Sequence, residues 1–209
     1  MAWRPRLGLL MASKPVVRVT KDNTKAFLKG IQALATQRAY AGVPATTAGR
    51  KEEGQAINNA ELMYIHENGA PEANIPARPV VVPAIKSAQP AITQALTLAA
   101  KAGANGDVAG VDKGLNAAGI IAQDAMRKKI TTGPFAPLSP KTIAARAAKR
   151  GTKRRKGEQE YLDLVKGGMA PAKAQAAANI KPLIDTGQLR RALTYVIRKV
   201  KWTWKGRAL

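Results

Sequence analysis

The chain has 209 residues, and its Lys+Arg 35 against Asp+Glu 13 give a formal net charge of +22. A charge this far from neutrality predicts an acidic partner. The sequence has no cysteine and a single histidine, His66, which excludes disulfides, thiolate metal sites, thiol nucleophiles and sites built from several histidines. No apolar run approaches the roughly 18–20 residues of a membrane-spanning helix, so we expect no membrane partner.

The first part of the chain predicts a strand, a helix and a second strand. We expect residues 1–14 to be a flexible extension and residues 15–200 to form a single domain. A β-branched run at 16–20 favours a strand, and 38–45 favours another. Between them lies a helix with one apolar stripe that we expect to pack on the sheet: Phe27, Leu28, Ile31, Leu34 and Ala35.

The middle of the chain predicts helices separated by a proline-rich arm. A short helix over 56–67 begins near Asn58 or Asn59 and ends at Asn68-Gly69. Prolines at 71, 76, 79 and 83 then favour an extended, solvent-edge arm over 74–82. A helix follows from 83 to the glycines at 103–106, and Pro90 is expected to start or kink it. The apolar periodicity of 108–130 predicts the longest helix.

The last part predicts a basic, helical insertion and a closing strand. After a loop at 131–140 and a helix at 142–150, residues 149–178 form a basic and Ala-rich insertion with a weak point at Gly167-Gly168. A turn at 185–187, a helix at 188–193 and a strand at 194–200 precede a tail at 201–209. The fold class is therefore α+β, with a small antiparallel or mixed sheet packed by several Ala-rich helices.

Three segments carry a resemblance when taken in order. They are Asn-Ala-Glu-Leu-Met-Tyr-Ile-His-Glu-Asn-Gly at 59–69, Ile-Pro-Ala-Arg-Pro at 75–79 and Leu-Ile-Asp-Thr-Gly-Gln-Leu-Arg-Arg-Ala-Leu at 183–193. Together they resemble tail-component and tail-completion (neck) proteins of tailed bacteriophages and the related virion morphogenesis proteins of Mu-like phages. Val80 stands where that family often has an aromatic residue, Asn68 interrupts its usual Glu-Phe-Gly or Glu-His-Gly run, and 150–178 has the character of an insertion.

The resemblance implies a structural virion protein at the head–tail junction or upper tail, not an enzyme. It implies a homo-oligomeric ring of six- or twelve-fold symmetry whose bore is part of the DNA path. Adjacent neck and tail proteins would be its partners, together with double-stranded DNA bound without sequence preference, and no cofactor is implied. The charge alone supports an alternative, a sequence-nonspecific nucleic-acid-binding protein of the nucleoid or ribosomal type.

Two groups of residues are candidates for contacts. The proline-rich arm either docks on a neighbouring subunit or crosses its own domain, and two terminal tryptophans on one strand face either anchor the tail on another subunit, which we favour, or stack on bases. These interface candidates are Ile75, Pro76, Arg78, Pro79, Trp202 and Trp204. A basic block faces either DNA phosphates or acidic protein: Lys149, Arg150, Lys153, Arg154, Arg155 and Lys156.

The remaining polar residues have structural interpretations. His66 and Glu67 are neighbours in a predicted helix, so their side chains point in different directions and do not form a metal or acid–base pair. We expect Asp185 or Thr186 to cap the helix that follows. Five carboxylates that cluster in the sequence are expected to form surface salt bridges: Glu52, Glu53, Glu61, Glu67 and Glu72. Neither a nucleophile nor a phosphate-binding glycine loop accompanies them, so we predict no catalytic and no metal site.

Overall fold

The computed structural model describes residues 22–49, 57–148 and 156–200. Within these ranges the fold is mostly helical with one two-stranded antiparallel sheet, which confirms the predicted α+β class. The elements in chain order are α1 (Thr24–Thr36), β1 (Gln37–Gly42), α2 (Asn59–Asn68), α3 (Val81–Ala104), α4 (Val108–Thr132), α5 (Pro140–Ala148), α6 (Lys156–Lys166), α7 (Pro171–Ala177), α8 (Gln188–Ala192) and β2 (Thr194–Lys199). No helix in these ranges is long and apolar enough to cross a membrane.

The hairpin formed by the long helices α3 and α4 is the central element of the fold. The two helices approach closely because small residues line their contact: a Cβ added to Gly114 would lie 2.6 Å from the Cβ of Ala99. The Asp107 side chain accepts a hydrogen bond from the Gly110 N–H at 2.9 Å and so caps α4. Pro90 lies inside α3 and does not start it, because the helix has already begun at Val81.

The sheet pairs β1 with β2, and it packs on α4. Ala39 stands opposite Ile197, and the register continues to Gly42 opposite Thr194. The Tyr195 ring lies over Gly119 of α4, and its hydroxyl donates to Asn116 Oδ1 at 3.1 Å. Both of these strands were predicted. The third predicted strand, at 16–20, lies outside the described residues.

The predicted packing of α1 is wrong. Phe27, Leu28 and Ile31 are 45%, 58% and 39% exposed, whereas the buried residues of α1 are Gly30 and Ala33. Of the remaining stripe positions, Leu34 is partly buried and Ala35 is exposed. The helix packs mainly on α3 and α4, and Ile197 of β2 also lies against the cluster that holds Ala33. A close approach of helices leaves room only for small side chains at the contact: a Cβ added to Gly30 would clash with the Gly103 carbonyl oxygen.

The proline-rich arm is shorter than predicted, and its residues alternate between exposed and buried positions. Residues 71–73 form a 3-10 turn, an isolated bridge joins Ala70 to Ile75, and only 76–79 lie between this bridge and Val80, the N-cap residue of α3. Residues 81–83 are already helical, because a proline in the first turn of a helix loses no hydrogen bond. Arg78 and Val80 are 6% and 0% exposed, whereas Pro76 and Pro79 are exposed, so the arm crosses its own domain with one side buried and has the predicted solvent-edge position on the other.

Two hydrophobic clusters flank this crossing. The larger joins α2, the start of α3, the end of α4 and the segment around α8: Met63, Val80, Ala84, Met126, Ile130, Leu183, Leu189 and Leu193. The smaller joins α5, α6 and α7: Leu138, Ile143, Tyr161, Ala174 and Ala178. In the predicted helical insertion, α6 and α7 are separated at the predicted weak point Gly167-Gly168, where Gly168 has φ +87°.

Candidate functional site

The three segments that carry the resemblance meet at one cleft, although they are far apart in the sequence. The cleft has a volume of about 500 Å³. Its lining combines residues 59–66 of α2, residues 74–78 of the arm, residues 137–146 around the start of α5, and residues 182–189 before and within α8. We call this cavity the motif cleft.

Glu67 fixes the arm at the edge of the motif cleft by capping α3. Its Oε2 accepts hydrogen bonds from the N–H groups of Val80 at 2.6 Å and Val81 at 2.9 Å, and its Oε1 accepts from Val82 at 2.9 Å. The next residue is Pro83, which has no N–H to satisfy. Glu67 therefore satisfies the first free amides of α3 and places its negative charge at the positive end of the helix dipole. The prediction of a surface salt bridge at Glu67 is wrong.

The start of α2 is also fixed by polar side chains. Asn58 and Glu61 form a capping box: the Asn58 Oδ1 accepts from the Ala60 and Glu61 N–H groups, and the Glu61 carboxylate accepts from the Asn58 N–H at 2.8 Å. Asn59 is 2% exposed and donates from Nδ2 to the Gly49 carbonyl at 3.0 Å. Its Oδ1 is buried and has no hydrogen-bond partner in the part of the chain that is described.

Arg78 is a buried cation held by backbone carbonyls. Its Nε donates to the Ala136 carbonyl and its Nη2 to the Pro137 carbonyl, both at 2.8 Å, which ties the arm to the loop before α5. Its own N–H donates to the His66 carbonyl at 2.6 Å. Burial lowers the pKa of Arg78, and the charge of Arg146 lowers it further. The guanidinium therefore bonds inside its own domain, and the place of Arg78 in a subunit interface stays a prediction.

Arg146, on α5, is the second cation of the motif cleft. Its Nη2 donates to the Pro182 carbonyl at 2.9 Å, and its Nη1 donates at longer range to the carbonyls of Lys181 and Ile184. Burial lowers the pKa of Arg146, while the attraction of Asp185 and Glu158 acts in the opposite direction. Arg146 therefore links α5, the helix that precedes the basic insertion, to the segment 181–184 that leads into α8.

The turn at 185–187 leads directly into α8. The residue immediately before α8 is Gly187, with φ +76°. The Thr186 hydroxyl accepts from the N–H of Gln188, the first residue of α8, at 3.5 Å, so Thr186, one of the two predicted capping residues, makes a long contact to the start of the helix. Glycine is favoured here because the left-handed conformation is costly for other residues. This turn closes the motif cleft at its α8 end.

The lining of the motif cleft is electrostatically unbalanced. Its charged side chains are Arg78, Arg146 and Asp185, so cations exceed anions. Much of the remaining wall is apolar: Leu62, Ile75, Pro76, Pro137, Leu138, Pro182, Leu183 and Leu189. In the described ranges no group of histidine, cysteine and acidic side chains is arranged to hold a metal ion.

Comparison with protein-family models, with curated proteins and with solved structures gives no match. The resemblance of the three segments therefore stands on their residues alone.

The other predicted site residues are distributed as follows. Ile75 is half-buried at the motif cleft, and Pro76 and Pro79 are exposed on the arm. Lys156 is exposed at the first position of α6. The remaining candidates lie outside the described residues: Trp202, Trp204, Lys149, Arg150, Lys153, Arg154 and Arg155.

Sequence reasoning missed residues that position the motif cleft. Arg146 follows the buried Ile143 by three residues in a helix, and this spacing on one face is a signal that an arginine points inward. The sequence around Gln175 gives no signal that its side chain is buried and bonded. The Gln175 side-chain amide accepts from the Leu138 N–H at 2.9 Å and donates to the Leu138 carbonyl at 2.7 Å. A contact between residues so far apart in sequence has no local pattern.

Proposed function

We propose that this chain is a structural virion protein of a tailed phage, forming part of a neck or upper-tail ring whose bore belongs to the DNA path. The observation that carries the proposal is the meeting of the three resemblance segments at the motif cleft. Glu67 binds the Val80 N–H at the end of the arm, and Arg78 of the arm binds the Ala136 carbonyl, so the segments are connected in one structural unit. The fold therefore requires these segments together. Independent chance similarities have no reason to converge in this way.

A second observation supports self-association. Between Lys86 and Lys101 the helix α3 carries no charged residue, yet most of its side chains there are exposed, including Leu96 at 41% and Leu98 at 60%. We call this surface the neutral face of α3. Copies of a chain with net charge +22 repel one another over most approaches. The neutral face offers an approach without that repulsion, so we assign it to a second copy of the chain.

The proposal is tested by a nonsense mutation in the gene for this protein in a phage that carries it, followed by electron microscopy of the lysate. Filled heads and separate tails that accumulate unjoined, and that are rescued by the wild-type gene on a plasmid, are the expected result. Complete infectious particles without the protein would exclude the neck and upper-tail role.

The same complementation assay tests the neutral face. Leu98→Glu puts a charge into the proposed contact between copies, and we expect it to lower the yield of joined particles at least tenfold. Leu28→Glu is the matched control, since it is the same substitution at a similarly exposed position, 58% against 60%, on α1 and outside the neutral face. Equal complementation by both variants would show that copies do not meet at this surface.

A sequence-nonspecific nucleic-acid-binding protein is the second candidate function, favoured by the net charge of +22. Its test is the salt dependence of binding to a duplex of random sequence. Neutralisation of phosphates predicts a log–log slope of about −0.9 per phosphate contacted, and tight binding near physiological salt. A ring component that only surrounds the DNA path predicts weak binding under the same conditions.

A further inference from the structure

The motif cleft has the charge and shape to receive part of another protein. Arg78 is 6% exposed, and both hydrogen-bond acceptors that it has are neutral carbonyl oxygens. Arg146 lines the same cleft and donates to backbone carbonyls, and Asp185 and Glu158 also attract its charge. Carbonyl dipoles stabilise a buried cation less than an anion does, so an arriving anion gains most from Arg78, and the charge of Arg146 adds to the attraction.

The walls of the cleft decide which kind of anion fits. Leu62, Ile75 and Leu189 are among the apolar residues that line it. Apolar walls suit the apolar side chains of a peptide. A nucleic-acid backbone is contacted by exposed lysine and arginine side chains, whereas the Arg78 guanidinium is recessed.

We propose that the motif cleft binds an acidic segment of a different polypeptide, with a carboxylate held by Arg78 and Arg146 and its apolar neighbours held by the cleft walls. A different polypeptide is favoured over a second copy because this chain carries only Asp+Glu 13 against Lys+Arg 35. The inference rests on the proposed function in taking that polypeptide to be an adjacent protein of the assembly. The volume of about 500 Å³ accommodates a few residues, as expected for a short docking segment.

The test selects binders from a random heptapeptide library with the purified full-length protein. We expect enriched peptides that carry Asp or Glu next to Leu, Ile or Pro. The best peptide is then synthesised with its carboxylate replaced by the corresponding amide, and affinity is measured by fluorescence anisotropy. The amide peptide is expected to bind at least tenfold more weakly.

Single-residue variants test whether the selected peptide binds at the motif cleft. Thr142 is exposed and lines the cleft at the start of α5, so Thr142→Glu adds a negative charge at the rim without removing a buried group. We expect it to weaken the acidic peptide at least tenfold. Arg146→Gln, checked for folding by urea unfolding, should do the same. Arg190→Gln is the matched control: it removes the same charge from an exposed site outside the cleft, and affinity should change less than twofold.

Several outcomes would overturn the inference. They are selected peptides without carboxylates, equal binding by the Thr142→Glu and Arg190→Gln variants, or a 20-base-pair duplex that competes for the cleft and loses affinity with Thr142→Glu. Competition by the duplex would show that the cleft binds phosphate groups instead of a peptide carboxylate. All of these leave the electron microscopy of phage lysates unaffected, so failure of this inference is distinguishable from failure of the proposed function.

Discussion

Replacing Glu67 by alanine removes the cap that joins α2 to α3. One carboxylate accepts the N–H groups of Val80, Val81 and Val82, and the side chain of Val80, the residue before the helix, makes no capping bond. The substitution leaves these amides without an acceptor while the helix around them stays in place. The cost therefore depends on which of the three amides water can reach.

The burial of these residues sets the magnitude. Val80 is 0% exposed, so its amide loses its acceptor and gains no water, at a cost of about 1–3 kcal/mol. Val82 is 66% exposed, and water replaces the carboxylate there at little cost. Val81 is half-buried and lies between these limits. Loss of a negative charge from the helix N-terminus adds about 0.3–1 kcal/mol. We expect Glu67→Ala to lower the free energy of unfolding by about 2–4 kcal/mol.

Urea unfolding followed by far-UV circular dichroism measures this loss, and Glu72→Ala is the control. Glu72 is exposed in the nearby 3-10 turn, so its removal deletes the same charge and is expected to cost less than about 0.5 kcal/mol. Amide hydrogen exchange should be faster at residues 80, 81, 82 and 84 in Glu67→Ala and unchanged in the control. Equal stability of the two variants would refute the capping role of Glu67.

Further substitutions test the packing of the helices, each by urea unfolding. Gly114→Ala places a methyl group 2.6 Å from the Cβ of Ala99 and should cost about 1–3 kcal/mol, whereas Gly167→Ala, whose Cβ meets nothing closer than 3.5 Å, should change stability by less than about 0.5 kcal/mol. Gln175→Leu leaves a buried backbone N–H and C=O before α5 unpaired and should cost about 2–4 kcal/mol; a smaller loss would show that water reaches them. The buried Tyr161 hydroxyl has no partner in the described ranges, so Tyr161→Phe should leave stability unchanged or raise it by up to about 1 kcal/mol, and a clear loss would contradict this.

Local patterns predicted the elements well. The cap at Asn58 and the stop at Gly69 mark the ends of α2, and the apolar periodicity of 108–130 gives α4 almost in full. These features depend on residues within a few positions of one another, which is the range over which helix capping and periodicity act. Both strands of the described sheet were found for the same reason.

What each helix packs against was predicted poorly. The apolar stripe of α1 indicated an inward face at Phe27 and Ile31, but the hairpin selects Gly30 and Ala33 because its helices approach too closely for large side chains. Arg78 shows the opposite error, because a residue expected at the surface is buried. A charged residue between prolines favours a solvent-exposed position, and only the carbonyls at 136 and 137, far along the chain, make its burial possible.

The residues that carry the resemblance divide into those that build the motif cleft and those that face into it. Glu67 caps α3, and Gly69, with φ +77°, leaves room for the arm, since a Cβ there would lie 2.9 Å from the Ala77 nitrogen. Such roles maintain a fold and are compatible with many partners. Variants at these positions therefore report stability and not function. Only substitutions at exposed positions, such as Thr142 at the cleft rim and Leu98 on the neutral face, separate the binding of a partner from the integrity of the fold.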